Sequence, residues 1–362
     1  MDTITQLLSD LVAVDTRYVT KSEGNLAKKL LEELSSRGFA TETLETDGRL
    51  NILADNKLPG KAILFYGHID TVDVSPGWEH EPFALTMEGD KGYGLGVYDM
   101  KGGIAAFLKA VVGTSRHIKI VFAVDEENIS TGSWDIVQKR ADFFTDVELI
   151  ISAEPNFGLG LNGITTARTG RVIFTVCSQG KPVHIAKYKE GVNAIYPLVA
   201  FVGALRDANL ATDKMTIIQP RNIRTNTIGM SLCEKAEVDV EVLLGSDDSI
   251  EAMLEKLTSL SRSIGGDLVV TLALRKTPYL TGYRFNSFPY QEKIAKIIQE
   301  HTKKQMTLHE RSSVGDDNVY ATLGIPVITW GPDGGGAHEA DEWVDVQSLS
   351  TLSAMFKELL IE

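Results

Sequence analysis

The sequence predicts an α/β protein with a mainly parallel central sheet, interrupted by an inserted α+β unit. Three observations carry that expectation. In the first and last parts of the chain, short apolar runs alternate with stretches of helical periodicity. The runs are continuously apolar, as expected of strands covered on both faces. Between them, one segment reads strand-helix-strand-strand-helix-strand, the order of a ferredoxin-like unit.

In chain order, residues 3–14 and 25–36 carry apolar side chains at helical spacing. Lys61–Gly67 (KAILFYG), Ile118–Val124 (IKIVFAV) and Glu148–Ser152 (ELIIS) read as buried strands. A Gly-rich loop and a helix over 103–112 separate the first two. Residues 289–302 read as a helix and Pro326–Trp330 (PVITW) as a buried strand. In the middle, Arg171–Ser178, Met215–Gln219, Lys235–Leu244 and Asp267–Arg275 read as strands, with helices over 192–206 and 248–264. The strand over 235–244 alternates apolar and polar, as a half-buried strand should. The expected boundaries fall near 166 and 279. Residues 1–166 and 279–362 then form one discontinuous domain around an insert at 167–278.

Composition narrows the function classes. Apolar residues are 43% and charged residues 23% of the 362, which is ordinary globular usage. Thirty-six Lys and Arg against 49 Asp and Glu give a net charge of −13, which argues against a nucleic-acid partner. No apolar run approaches the ~20 residues of a membrane span. The start, MDTITQLLSDLV, lacks the basic end and apolar stretch of a signal peptide. The two cysteines, Cys177 and Cys233, exclude a disulfide scaffold and a thiolate zinc site, and the expectation is a cytoplasmic protein.

The chemistry lies at the exits of the strands. KAILFYG leads into His68 and Asp70, IKIVFAV into Asp125, Glu126 and Glu127, ELIISA into Glu154, and PVITWGPDGGGA into His338 and Glu339. Asp99 ends the Gly-rich loop. In open α/β sheets, sites form beyond the carboxyl ends of strands. Imidazole and carboxylate without thiolate suit Zn²⁺, Co²⁺ or Mn²⁺. Asp99, Glu127 and Glu154 carry three negative charges, which two dications balance to +1 and a bridging hydroxide to zero. Glu126 adjoins Glu127 and is placed to take a proton from water between two ions. Singly, each of these residues is as well explained by a turn, a cap or a solvated face; their recurrence at successive strand ends carries the inference.

Five segments resemble the M20 metallopeptidase family, in particular its acetylornithine deacetylases and succinyl-diaminopimelate desuccinylases. They are GHIDTV (67–72), GLGVYDMKGG (94–103), Glu126-Glu127, Ala153-Glu154-Pro155 and Ala337-His338. The resemblance runs over nearly the whole chain. It implies a zinc-peptidase-like catalytic domain with an inserted lid that commonly mediates homodimers. It further implies one metal held by His68, Asp99 and Glu154 and a second by Asp99, Glu127 and His338, with Asp99 bridging. Glu126 would be the general base and later acid, and the Asp70 carboxylate would fix the tautomer of His68. His184, in GKPVHIAKYKEGVNA, resembles a family histidine that enters a neighbouring subunit's site and stabilises the oxyanion. The implied cofactor is a pair of divalent ions, most readily Zn²⁺. The implied activity is hydrolysis of the amide of an N-acyl amino acid, with a di- or tripeptidase or carboxypeptidase as the alternative.

Some positions depart from the family pattern. Arg221 and Arg224 precede Asn226-Thr227-Ile228 where relatives often have a Gly pair. An arginine fork there, with Asn226, suits a substrate carboxylate; two surface charges on the lid explain the pair equally well. Asp317, in SVGDDN, suits either a substrate amino group or the cap of a helix over 318–323. A nucleotide-binding reading of Gly92, Gly94 and Gly96 is weak, because Asp99 stands where the spacing needs a third glycine. A metal-binding scaffold without activity leaves Glu126 without a purpose.

Overall fold

A computed structural model describes residues 3–361. The chain divides into two compact units. The first runs through Ala167 and takes in Phe285–Glu310 and the chain from Gly315 on; the second is Arg168–Arg284 with Arg311–Val314.

The main sheet of the first unit is built from β1 (Ala40–Thr46), β2 (Arg49–Asp55), β3 (Ala62–His68), β4 (Ile118–Ala123), β5 (Val147–Ser152), β6 (Gly163–Arg168), β7 (Thr307–Arg311) and β8 (Val327–Thr329). They lie in the order β1-β2-β4-β3-β5-β8-β6, with β7 paired to β6. β4, β3, β5 and β8 run parallel. β1–β2, β2–β4 and β8–β6 are antiparallel. The sheet is therefore mixed: parallel at its centre, antiparallel toward both sides. β3 and β4 are buried along their whole length, which is why they read as unbroken apolar runs.

β1 and β2 have no counterpart among the expected strands. They form a hairpin closed by Asp47 and Gly48, with Thr46 opposite Arg49. Both turn residues have positive φ, 52° and 78°. Asp-Gly is the residue pair that a two-residue primed turn demands, so a signal was present. The polar outer strand ATETLET masked it.

The helices are α1 (Thr3–Val12), α2 (Gly24–Ser36), α3 (Gly102–Ala110), α4 (Thr131–Lys139), α5 (Gln291–Thr302), α6 (Asp317–Ala321) and α7 (Val346–Leu359). Ile4, Leu8 and Leu11 of α1 and Leu26, Leu30 and Leu34 of α2 are fully buried in one core with Phe65, Phe107 and Phe356. α3 begins unusually close to β5. A Cβ on Gly103 would lie 2.3 Å from the carbonyl oxygen of Ala153, so only glycine fits.

The second unit has the expected order. Strands Gly170–Gln179, Ile217–Thr225, Lys235–Leu244 and Asp267–Leu272 form an antiparallel sheet. Strand 217–225 is at one edge and 267–272 at the other. Helices Ile195–Asp207 and Ile250–Ile264 complete it. Phe174, Val238, Val240, Phe201 and Leu257 form its separate core.

Candidate metal centre

β3 ends in His68, whose ring is buried. Its Nε2 lies 3.1 Å from Asp99 Oδ1. His338 Nε2 lies 3.3 Å from the other oxygen, Asp99 Oδ2, and 3.1 Å from Glu127 Oε2. One carboxylate thus stands between two imidazoles that are 270 residues apart in the chain. Ligand atoms of Asp99, Glu127 and His338 fall within 4.8 Å of one another, and so do those of His68, Glu126 and Glu127. Glu154 is buried at the exit of β5 and joins neither triplet among the described residues. Its charge reaches Glu126.

Local structure aims these groups. Asp99 sits at a kink in the segment Val97–Lys101, just ahead of α3, with a non-helical φ of −117° and ψ of 90°. The fully buried Glu342 carboxylate accepts the N–H groups of Gly96, Tyr98 and Asp99 at 2.7, 2.9 and 2.9 Å. Asp125 and His338 have φ of 73° and 66°, strained values for residues with a Cβ and a recurrent mark of functional loops. At Gly331 a Cβ would lie 1.8 Å from the Glu154 carbonyl oxygen, so the segment after β8 can pass only as glycine.

Asp70 corrects one expectation. His68 Nδ1 meets the main-chain carbonyl of Asp70 at 2.9 Å, while the nearer carboxylate oxygen is 3.9 Å away. The carbonyl fixes the ring. The carboxylate instead accepts the N–H groups of Glu126 and Glu127, at 3.3 and 3.2 Å. Asp70 therefore braces the backbone of the paired glutamates.

The electrostatics follow from crowding in low dielectric. Desolvation pushes the Glu126 carboxyl well above the usual range, and the charges of Glu154, Glu127 and Asp316 add to it. Burial also raises Glu127. Hydrogen bonds to Asp99 and Glu127 push His338 up to about 11. Burial opposes protonation of His68, but the bond to Asp99 and the surrounding carboxylates outweigh it and raise it. Asp99 is held low against its own burial by the two imidazoles. Such an excess of acid over base is the environment a cation stabilises.

The donor set fits divalent ions. It is nitrogen and oxygen only, and Cys177 and Cys233 both belong to the other unit. Glu127 Oε1 is buried and has no hydrogen-bond partner among the described residues, a lone pair that a cation would satisfy.

The remaining predicted residues are engaged locally. Asp317 is fully buried and accepts the Thr329 hydroxyl at 2.8 Å. Asp316, not Asp317, stands at the N-cap of α6. In the second unit, Arg221 pairs with Glu241, and Arg224 reaches Asp239 through both terminal nitrogens at 2.5 and 2.8 Å. These cross-strand pairs favour the surface-charge reading. Asn226 Oδ1 accepts the N–H of Lys235 at 2.7 Å and holds its own hairpin. His184 is exposed, its Nδ1 accepting the Ala186 N–H at 3.2 Å. Glu342 and Arg49 went unnoticed in the sequence. The signals available were an arginine heading a largely apolar strand and an acid four residues beyond His338.

Residues 64–362 match the family described as Peptidase family M20/M25/M40. The succinyl-diaminopimelate desuccinylase of Sphingopyxis alaskensis is 26% identical over 98% of this chain and 97% of its own length. That of Halorhodospira halophila is 25% identical over 94% of each. Among solved structures, aminopeptidase PepT from Bacillus cereus superposes with a TM-score of 0.79 at 20% identity, covering 99% of this chain and 97% of the other. An M20 family metallo-carboxypeptidase from Sulfolobus solfataricus gives 0.80 at 16% identity over 99% of both. A dinuclear metal-binding M20 peptidase from Bacillus subtilis gives 0.74 at 16% identity over 99% of this chain and 96% of the other. These structural likenesses establish the fold.

Proposed function

The chain belongs to peptidase family M20/M25/M40, and from that premise we propose that it hydrolyses the amide bond of an N-acyl amino acid, with a succinylated amino acid as the first substrate class to test. The observation that carries the reading is Asp99 lying between His68 and His338 while Glu127 shares His338. The two desuccinylase relatives favour a deacylase over a peptidase.

His68, Asp99 and Glu154 are the ligands we assign to one divalent ion, and Asp99, Glu127 and His338 to the other, with Zn²⁺ first and Co²⁺ or Mn²⁺ as alternatives. Bound there, two such ions supply Lewis-acid polarisation of the acyl oxygen and acidify a water. Asp99 would be the ligand common to both, since one of its oxygens faces His68 and the other His338. Glu126 takes the proton of the attacking water on a carboxylate oxygen and returns it to the departing amine nitrogen. Asp70 keeps Glu126 and Glu127 aimed through their amides. His184 donates to the oxyanion, a contribution typically worth about 3 kcal/mol.

We place the residues 168–284 as a lid and homodimer module in a cytoplasmic enzyme. Strand 217–225 is an open sheet edge. Tyr196, Val199, Ile223, Ile228 and Met230 are all exposed apolar side chains of that unit. A second copy covering them would bring His184 to its neighbour's site. Among the described residues no helix is long and apolar enough to cross a membrane.

The test strips metal and restores Zn²⁺, Co²⁺ or Mn²⁺, then assays N-succinyl-diaminopimelate, N-acetylornithine, di- and tripeptides. Metal-dependent release of succinate is expected. Activity confined to peptides would replace the deacylase reading with the peptidase one.

A further inference from the structure

Arg49 lies outside the cluster of metal-ligand candidates and is almost wholly buried at the start of β2. A guanidinium keeps its charge, so its burial demands partners. It has three. Nη2 meets Glu23 Oε1 at 2.5 Å and Nε meets Glu23 Oε2 at 3.3 Å. Nη1 donates to Asp125 Oδ1 at 2.8 Å. Nη2 stands 3.8 Å from Asp70 Oδ2. Glu23, Asp70 and Asp125 are each no more than 5% exposed, so one cation holds together three acids that water does not reach.

Two of these acids flank the paired glutamates. Asp125 immediately precedes them, and its other oxygen accepts the Thr131 hydroxyl at 2.6 Å and N–H at 3.2 Å at the start of α4. Asp70 accepts the amides of Glu126 and Glu127 themselves. Glu23 occupies the N-cap of α2 yet makes no capping bond with its side chain; its carboxylate is given to Arg49. The guanidinium is thus coupled to the backbone of 125–127 from both sides.

We propose that Arg49 is a positioning residue for hydrolysis: through Asp70 and Asp125 it fixes the backbone that aims Glu126 at the water and Glu127 at the metal. The proposal rests on the deacylase reading for the role of Glu126, and on geometry alone for the aim of Glu127. Without the guanidinium, the buried carboxylates of Asp70 and Asp125 lose the group that ties them together, and the acceptor of the 126 and 127 amides is no longer held in place. A lysine keeps the charge and cannot span Glu23 and Asp125 together.

The experiment compares Arg49→Met and Arg49→Lys with the unaltered chain, each loaded with Co²⁺. It reads kcat and KM on N-succinyl-diaminopimelate, the visible absorption of bound Co²⁺ and thermal stability. Supporting partners of metal ligands typically matter by about 10- to 100-fold. The expected result for Arg49→Met is a kcat lower by that factor with KM unchanged and a shifted Co²⁺ spectrum. Arg49→Lys should recover part of the kcat. If Arg49→Met does not fold, Arg49→Lys decides alone by the same two readouts. A folded variant with unaltered kcat and Co²⁺ spectrum overturns the proposal, as does a change confined to the melting temperature. Should the unaltered chain hydrolyse no N-acyl amino acid, the deacylase reading falls, while the Co²⁺ spectra still decide whether Arg49 aims Glu127.

Discussion

His68 and His338 approach opposite oxygens of Asp99, and Glu127 shares His338. At this scale ligands and base separate experimentally. Glu126→Gln should bind the full complement of Zn²⁺ and lose about 10²- to 10⁴-fold in kcat; elemental analysis with a turnover assay checks both. His338→Ala should instead lower the metal content, and an unchanged ion count would remove it from the ligand set. Glu342 makes a third case. Its carboxylate gathers three N–H groups around Asp99 without touching the imidazoles. Glu342→Gln replaces an acceptor oxygen with a donor, so apparent metal affinity should fall about 10- to 100-fold in a competition titration against a chelator. The candidate ligands were legible in the sequence because imidazole and carboxylate recur at strand exits. Glu342 and Arg49 were not, because one acid among the three of HEADEW and a lone arginine after a turn look the same whether solvated or buried.

Among the strands of the first unit, those that read correctly are the ones buried on both faces. KAILFYG, IKIVFAV and ELIIS have no polar face to confuse their period, and all three became β3, β4 and β5. The hairpin β1–β2 escaped because one of its strands is largely exposed. α6 was expected at 318–323 and spans Asp317–Ala321, since Asp316 rather than Asp317 begins it. Two tests belong here. Gly103→Ala forces α3 away from the Ala153 carbonyl and should cost about 1–3 kcal/mol of stability, measured by denaturant unfolding. Asp316 joins three elements: its carboxylate accepts Tyr66 of β3 at 2.7 Å and Ser133 of α4, whose hydroxyl meets Tyr320 of α6 at 2.8 Å. Burial pushes Asp316 up to about 6. Between the usual carboxylate value and about 6, the folded state holds more protons than the unfolded one. This group's contribution to stability therefore falls as pH rises through that window. Asp316→Asn should flatten that part of the metal-free stability profile, and an identical slope would contradict the assignment.

At the level of the molecule, the βαββαβ order of the second unit was readable because its strands alternate and its helices are amphipathic. The inclusion of Arg311–Val314 in that unit was not, since four residues carry no period. Assembly belongs to this scale as well. If the exposed apolar residues of the second unit meet a second copy, the chain sediments as a dimer. Ile223→Lys on the edge strand should then yield monomers with reduced turnover and undiminished metal content. A wild-type monomer with full activity would leave His184 without a site to serve.

The Asp47-Gly48 turn has a bearing on engineering this enzyme. Side chains along a strand point alternately to its two faces, so shortening that tip by one residue would draw β2 forward by one position. Arg49 would turn to the opposite face and Leu50 would stand beside Glu23 and Asp125. Insertions at this solvent-exposed corner can loop outward and leave β2 in register, so a tag or epitope should be tolerated there where a deletion is not.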